Sequence, residues 1–384
     1  MQQFWRIIAP GRREVTGCLG ELVEVILSGS AAKIVPLLAV PLNTHCHENL
    51  EVEPGENIED EEEEECTKRR HTNNLPQSHW SKAARIDRHD DETMILHSLD
   101  RSNRSEASLE SLPSKLHNLV FDSLDDMDDI LSFSLTSRYF WAVGLTHIED
   151  RILCASAPWA GERIICVSDH SSPQDLPAGL LSAEEQDDLE QLNRLHHLDT
   201  FTVNNPWKKI GGQSLSERLR ESFEKWEAAH PMSEADRTEI LMGLKPEMLE
   251  FYPRDQPWVL RNLTTKEYVL GEAIALKESF VHGPQIDVLG FAEVLISRIA
   301  WSNRPVDVGH GRNISHGKWA GHRFDIVPLT CVHKSAGQGW TDVSNELLRE
   351  MDLIITVQKG DDWRDNLSRR CQKITPFVAL GYCD

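Results

Sequence analysis

The sequence predicts an α+β protein in three parts: a largely disordered, acidic stretch over 1–110, a short helical segment over 111–150, and a mixed helix and short-strand domain over 151–384. Three observations lead there. Seven consecutive acidic residues, Glu59 to Glu65, repel one another and favour a solvated chain. A dense run of apolar residues at helical spacing begins at Leu112. From there to the end, helical patterns alternate with short strand-like runs, and no leucine-rich, WD or kelch period appears.

The chain as a whole sets limits on function. Its 384 residues leave room for two or three domains. A net charge of −22 argues against a nucleic-acid backbone or an anionic membrane surface as partner. The eight cysteines are scattered without a C-x-x-C pair, which fits reduced thiols in the cytoplasm or nucleus. The first residues, MQQFWRIIAPGRRE, lack a basic start followed by an apolar core, so no signal peptide is expected. The apolar stretch LGELVEVILSGSAAKIVPLLAVPL is interrupted by Glu21, Glu24, Lys33 and Pro36, too often for a membrane span.

Within 1–110, two weak apolar helices are expected at 15–40. Pro113 suits the start of a first helix because it has no amide hydrogen to lose, and Leu116, Leu119, Val120 and Leu124 follow at helical spacing. The carboxylates of DDMDD favour the positive end of the next helix dipole. That next helix is read as carrying Ile130, Leu131, Phe133, Leu135, Tyr139, Phe140 and Trp141, apolar over most of its circumference. Further on, Ser182 and Glu185 form a capping box that opens a helix to about Leu195. Leu215, Leu219, Phe223 and Trp226 share one helix face. In RNLTTKEYVLGEAIAL, Thr264 and Glu267 read as another capping box, flanked by Leu263 and Tyr268 as a hydrophobic staple. LGFAEVLISRIAW is a helix, and TDVSNELLREMD is another, followed by a strand-like LIITV. PWAGERIICV and KWAGHRFDIV share W-A-G-x-R before a strand-like run. Coincidence of a turn-to-strand solution is the expectation, and a true duplication would make the two strands candidates for neighbours in one sheet.

About forty residues around Leu112–Trp141 are too few for a self-sufficient core, so an oily helix there must be covered on more than one side. Either the rest of the chain covers both sides, or a partner covers one. The residue identities bear on that choice. Leu112, Pro113, Leu116, Val120, Leu124, Asp125, Ile130, Leu131, Leu135, Ser137, Arg138 and Phe140 follow a pattern that resembles the F-box. Lys115 stands where that family often has Glu, and Met127 or Asp128 where it often has Pro. From about Trp159, the stretches WAGERI, DLPAGLLSAEE, LRNLTTKEYV and WAGHRFDI resemble the C-terminal region of fungal F-box proteins. The resemblance implies a short three-helix F-box that binds a Skp-type adaptor, which hangs on a cullin scaffold. It implies an α+β domain that captures a protein substrate, with no cofactor and no catalysis of its own. The implied adaptor contacts are Leu112, Pro113, Leu116, Val120, Leu124, Ile130, Leu131 and Leu135.

Few residues suggest bond-making chemistry. No phosphate-cradling G-x-x-x-x-G-K-[ST] and no G-x-S-x-G elbow occurs. His310, His316 and His322, six apart among glycines, could be gathered on one zinc, which would make the chain a metal-dependent enzyme. His45, Cys46 and His47 lack a second ligand pair, and Ser168, Asp169 and His170 are too close in sequence for a hydrolase triad. Asp361 and Asp362 read as a solvated loop. A scaffold protein outside any ligase is the remaining alternative.

Overall fold

A computed structural model of the chain describes residues 3–28, 30–42, 109–169, 171, 173–196, 207–210, 215–244, 251–306, 313–334, 337 and 339–371. In chain order the helices are α1 (Leu22–Ser28), α2 (Val35–Leu38), α3 (Ser114–Ser123), α4 (Met127–Ser134), α5 (Arg138–Cys154), α6 (Ala183–His196), α7 (Leu215–Ala229), α8 (Glu234–Gly243), α9 (Gly271–Ile274), α10 (Phe291–Ile299), α11 (Leu329–Lys334), α12 (Ser344–Lys359) and α13 (Trp363–Cys371). The strands are β1 (Trp5–Ala9), β2 (Glu14–Thr16), β3 (Ile165–Ser168), β4 (Lys208–Ile210), β5 (Trp258–Asn262), β6 (Glu267–Leu270), β7 (Val281–His282), β8 (Gln285–Ile286), β9 (Ala300–Trp301), β10 (Phe324–Pro328) and β11 (Thr341–Asp342). Among the described residues, no helix is long and apolar enough to cross a membrane.

The chain forms two compact units. The larger takes Met1–Thr44, Ile152–Arg218 and Lys245–Asp384, and the helical unit takes His45–Arg151 and Leu219–Leu244. The α+β class is as expected. The expected disorder of 1–110 does not hold for the first forty residues, which fold as β1, β2, α1 and α2. All five residues of β1 are buried, because this strand lies in the interior of a sheet covered on both faces. The acidic run Glu59 to Glu65 lies outside the described residues.

Two sheets carry the larger unit. The first has the order β4-β2-β1-β3-β9 and the second β10-β5-β6-β11. Their inner faces share one core with the helices. Trp5, Ile7, Cys166, Trp258, Leu260, Phe324 and Ile326 pack there with Leu22, Ile26, Phe291, Leu295, Leu347 and Met351. All nine residues of α10 are buried. Its polar members have local partners: Glu293 Oε2 accepts from Gly290 N–H at 2.8 Å, and Ser297 Oγ donates to Val294 O at 2.7 Å. Arg298 Nη2 reaches Glu346 at 2.9 Å and Glu350 at 2.7 Å on α12.

The two sheets repeat one motif. In each, a strand starting at a tryptophan (Trp5, Trp258) turns into an antiparallel second strand that starts at a glutamate (Glu14, Glu267). The pairs Ala9–Glu14 and Asn262–Glu267 hold the same register, and the residue before each glutamate, Arg13 or Lys266, has positive φ. A third strand pairs antiparallel to the first at matched positions, Trp5 with Ser168 and Trp258 with Pro328. A short fourth strand runs parallel to the second, starting at Lys208 opposite Glu14 and at Thr341 opposite Glu267. The W-A-G echo falls at equivalent turns before β3 and β10. Gly161 and Gly321 take φ of 79° and 82°, a region glycine enters at no steric cost. Gly161 N–H donates to Phe324 O at 2.8 Å, and Gly321 N–H donates to Ile164 O at 2.9 Å, a reciprocal exchange. Trp159 Nε1 donates to Glu14 and Trp319 Nε1 donates to Glu267, each at 2.8 Å. The echo is therefore part of a structural repeat, contrary to the expected coincidence. The two strands lie in different sheets, so they are not neighbours in one.

Other expectations sort by element. The capping box at α6 is present in both directions, Glu185 N–H to Ser182 Oγ and Ser182 N–H to Glu185 Oε2. The helix expected from Thr264 onward is instead the β5–β6 hairpin, followed by one turn of helix in α9. Asn262 Oδ1 accepts from the N–H groups of Thr264 and Thr265, an Asx turn that competes with helix initiation. LIITV lies within the second half of α12 and is not a strand: Ile354 and Ile355 are buried on the apolar face of the helix.

A candidate docking face on the helical unit

The segment expected to hold the site folds as three helices, α3, α4 and α5. Pro113 is the N-cap of α3, one residue before the position anticipated for it. Asp126 caps α4, its side chain accepting from Asp128 N–H at 2.7 Å, with Asp128 and Asp129 in the first turn. The second oily helix of the sequence reading is broken in two. Thr136 Oγ1 donates to Phe133 O at 2.7 Å, and Ser137 Oγ accepts from Phe140 N–H at 3.2 Å, so hydroxyls end α4 and start α5. The apparent all-round apolarity was two helices, each aiming its own face inward.

Aromatic rings fill the interior. Phe121 lies 4.9 Å from Phe133 and 5.0 Å from His147, and Phe140 lies 4.7 Å from Phe133 and 5.2 Å from His117. Gly144 of α5 makes the close approach possible: a Cβ there would stand 2.0 Å from Ser134 Oγ and 2.9 Å from a Phe121 ring carbon. Gly243 of α8 does the same against Trp141, where a Cβ would meet the indole at 2.7 Å. Arg151 ties the α3–α4 connection down, donating to Leu124 O and, at 3.1 Å, to Asp125 O. Arg138 pairs with Asp236 at the start of α8. Hydrogen bonding from Ser233, with Arg138 beside it, holds the Asp236 carboxyl below its ordinary range.

This arrangement divides the eight expected contact residues. Leu112, at 39% exposed, Pro113 and Leu116, at 43%, face outward. Val120, Leu124 and Leu135 are half-buried. Ile130 and Leu131 are buried within the chain and cannot meet a partner, which corrects their assignment as contacts. Two exposed leucines were not among the eight: Leu109, at 46%, in a 3₁₀ turn before α3, and Leu119, at 62%. Leu116 and Leu119 are three apart on one face of α3, and Leu112 stands just before its N-cap. That spacing was visible in the sequence, but periodicity does not say which way a face points. The opposite side of α3 carries the buried His117 and Phe121. Four exposed leucines within eleven residues of α3 and the turn before it are candidates for an interaction surface.

The metal alternative fares differently. His316 meets the Trp301 ring edge-on at 4.5 Å, and His322 Nδ1 lies 3.0 Å from Asn262 Nδ2. Burial lowers the pKa of His322. Each imidazole thus has its own partner, and among the described residues no group of three His, Cys, Asp or Glu could hold a metal ion. His310, His45, Cys46, His47 and His170 lie outside the described residues. Ser168 is bonded to Ser171 and Ser302 in a buried hydroxyl cluster, at 3.1 and 3.0 Å. Asp361 and Asp362 are exposed ahead of α13, as expected of a loop. Comparison of the chain with family models, with curated proteins and with solved structures finds no match to any of them.

Proposed function

We propose that this chain is a substrate-recognition subunit of an SCF-type ubiquitin ligase. In this reading α3 and the turn before it dock on a Skp-type adaptor carried by a cullin scaffold, and the larger unit captures a protein substrate. The chain itself would make no bonds; its contribution is to raise the local concentration of substrate at the ligation site. The observation that carries the reading is the outward-facing row Leu109, Leu112, Leu116 and Leu119, on the segment whose residues follow the F-box pattern. Removing such a side chain from water is worth roughly 1.5–3 kcal/mol before the costs of association. Four of them suffice for a stable complex, and losing two should abolish it.

The test is capture of a Skp-type adaptor by the full-length chain, followed by the variant Leu116→Asp with Leu119→Asp. Both positions are outside the core, so the variant should keep the thermal melting of the wild type and lose adaptor capture. If the wild-type chain captures no adaptor while a known F-box control does, the proposal is wrong. Recovery of adaptor without cullin would place the chain outside a ligase.

A further inference from the structure

The buried histidine of α3 is not used in the docking row, yet it touches the element that presents that row. His117 is fully buried. Its Nε2 lies 2.8 Å from Leu109 O, and its Nδ1 lies 2.9 Å from the Tyr139 hydroxyl on α5. A carbonyl oxygen can only accept, so Nε2 carries a proton. In the neutral ring Nδ1 then accepts from the Tyr139 O–H. The Tyr139 and Phe140 rings stand edge-on to the imidazole, each at 5.2 Å, and fix its plane. Leu109 O accepts a second time, from Leu112 N–H at 3.2 Å, which closes the 3₁₀ turn Leu109–Ser111. A three-residue turn has too few internal bonds to hold one conformation in water. The imidazole anchors the turn from inside the bundle.

We infer that His117 is a positioning residue: it latches the Leu109–Ser111 turn to Tyr139, so that Leu109 and Leu112 stand in line with Leu116 and Leu119. The inference rests on the docking role proposed above for that row. Without the latch, Leu109 and Leu112 would sample many positions, and ordering them would be charged against binding. The imidazole thereby preorganises half of the row without touching the partner.

A double-mutant cycle on the full-length chain tests this, with affinity for a Skp-type adaptor as the readout. His117→Phe keeps an aromatic ring among Phe140 and Tyr139 and deletes both hydrogen bonds. It should weaken adaptor binding about tenfold. Leu109→Ala should weaken it by a similar factor. If His117 acts through Leu109 and Leu112, adding His117→Phe to the pair Leu109→Ala with Leu112→Ala should weaken binding little further, because the latch then holds nothing that binds. Fully additive losses, or unchanged binding in His117→Phe, overturn the inference. Tyr139→Phe is the milder second variant, since it frees the ring while leaving the bond to Leu109; it should show a smaller loss of the same kind. Amide hydrogen exchange decides the point independently of any adaptor. In His117→Phe, Leu112 N–H should lose protection while amides midway along α3, such as that of Val120, keep theirs. Equal protection at Leu112 in both proteins refutes the latch even if the adaptor binds, and failure of the wild type to bind adaptor refutes only the docking role.

Discussion

The two halves of the larger unit share a backbone and differ in the face they turn away from the common core. In the first half, Ile8 pairs with Ile165 and Val15 across the sheet, and these side chains pack under Leu180, Leu189 and Trp207. In the second, the matching ladder positions hold Arg261, Asp325 and Tyr268. Trp340 stands before β11 as Trp207 stands before β4. Arg261 grips Asp325 with two bonds, 2.8 and 2.7 Å, and its guanidinium lies 5.2 Å from the Trp340 ring centre. An apolar row and a buried ion pair thus serve the same geometric place. What both halves keep is the turn chemistry: the left-handed residue before the glutamate, the W-A-G turn, and the indole-to-carboxylate bond. Backbone-setting residues define this motif, and the outer face is free to vary.

The sharpest way to break that comparison is to unpair the second half. Asp325→Ala leaves the guanidinium of Arg261 largely buried without its carboxylate, and should cost about 3–5 kcal/mol in urea denaturation. Replacing both, Arg261→Ile with Asp325→Ile, copies the row of the first half. That double variant should fall within about 1 kcal/mol of wild type or above it. A double variant as unstable as Asp325→Ala would show that the two faces are not interchangeable.

A second contrast lies in the helices. Glu24 of α1 is exposed, whereas Glu293 of α10 is buried. Burial raises the Glu293 pKa from 4.5 to about 7, against the smaller opposing effect of the Gly290 N–H. The folded state therefore binds this proton more tightly than the unfolded chain does. The associated stability is fully present below the unfolded value near 4.5 and is lost as pH rises through about 7, up to about 3 kcal/mol. Glu293→Gln should flatten that part of the stability-versus-pH curve and melt higher than wild type at pH 8. A wild-type curve with no fall between pH 5 and 8 would show that the carboxylate is accommodated after all.

The smallest effect concerns the cover of the first half. Ser182→Ala removes the cap of α6 and should cost about 1 kcal/mol. Circular dichroism melting should register it as a shift of a few degrees at most, and a larger one would mean that α6 bears more of the outer face than its cap implies.

How much of this was legible in the sequence depends on how far apart the deciding residues lie. Local signals were read correctly: the α6 capping box, the carboxylates opening α4, and the helices at α7 and α10. Where two local signals competed, the wrong one was read. Thr264 and Glu267 have capping-box spacing, but Asn262 captures the amides of Thr264 and Thr265, and β5 already had a partner in β10. LIITV has β-branched residues, but its isoleucines continue the buried side of a helix that starts at Ser344. The two helices expected at 15–40 are α1 and α2, but the strands before them were illegible for a different reason. β1 is buried on both faces, so it shows no alternation, and its neighbour β3 lies about 160 residues further on. At the docking face, the leucine spacing was plain, but the break at Thr136 and Ser137 was not. Ile130 and Leu131 were named as contacts by the resemblance, and their burial in α4 was not visible in the spacing.

The place of β1 also bears on how the polypeptide is made. It is synthesised about 160 residues before β3, its neighbour on one flank, and β9 beyond that completes the sheet only after Ala300 is synthesised. The helical unit is encoded in between and in a later insertion at Leu219–Leu244. Until β3 is synthesised β1 has only β2 beside it, so one edge of this buried strand stays unpaired in the nascent chain and is a weak point for aggregation.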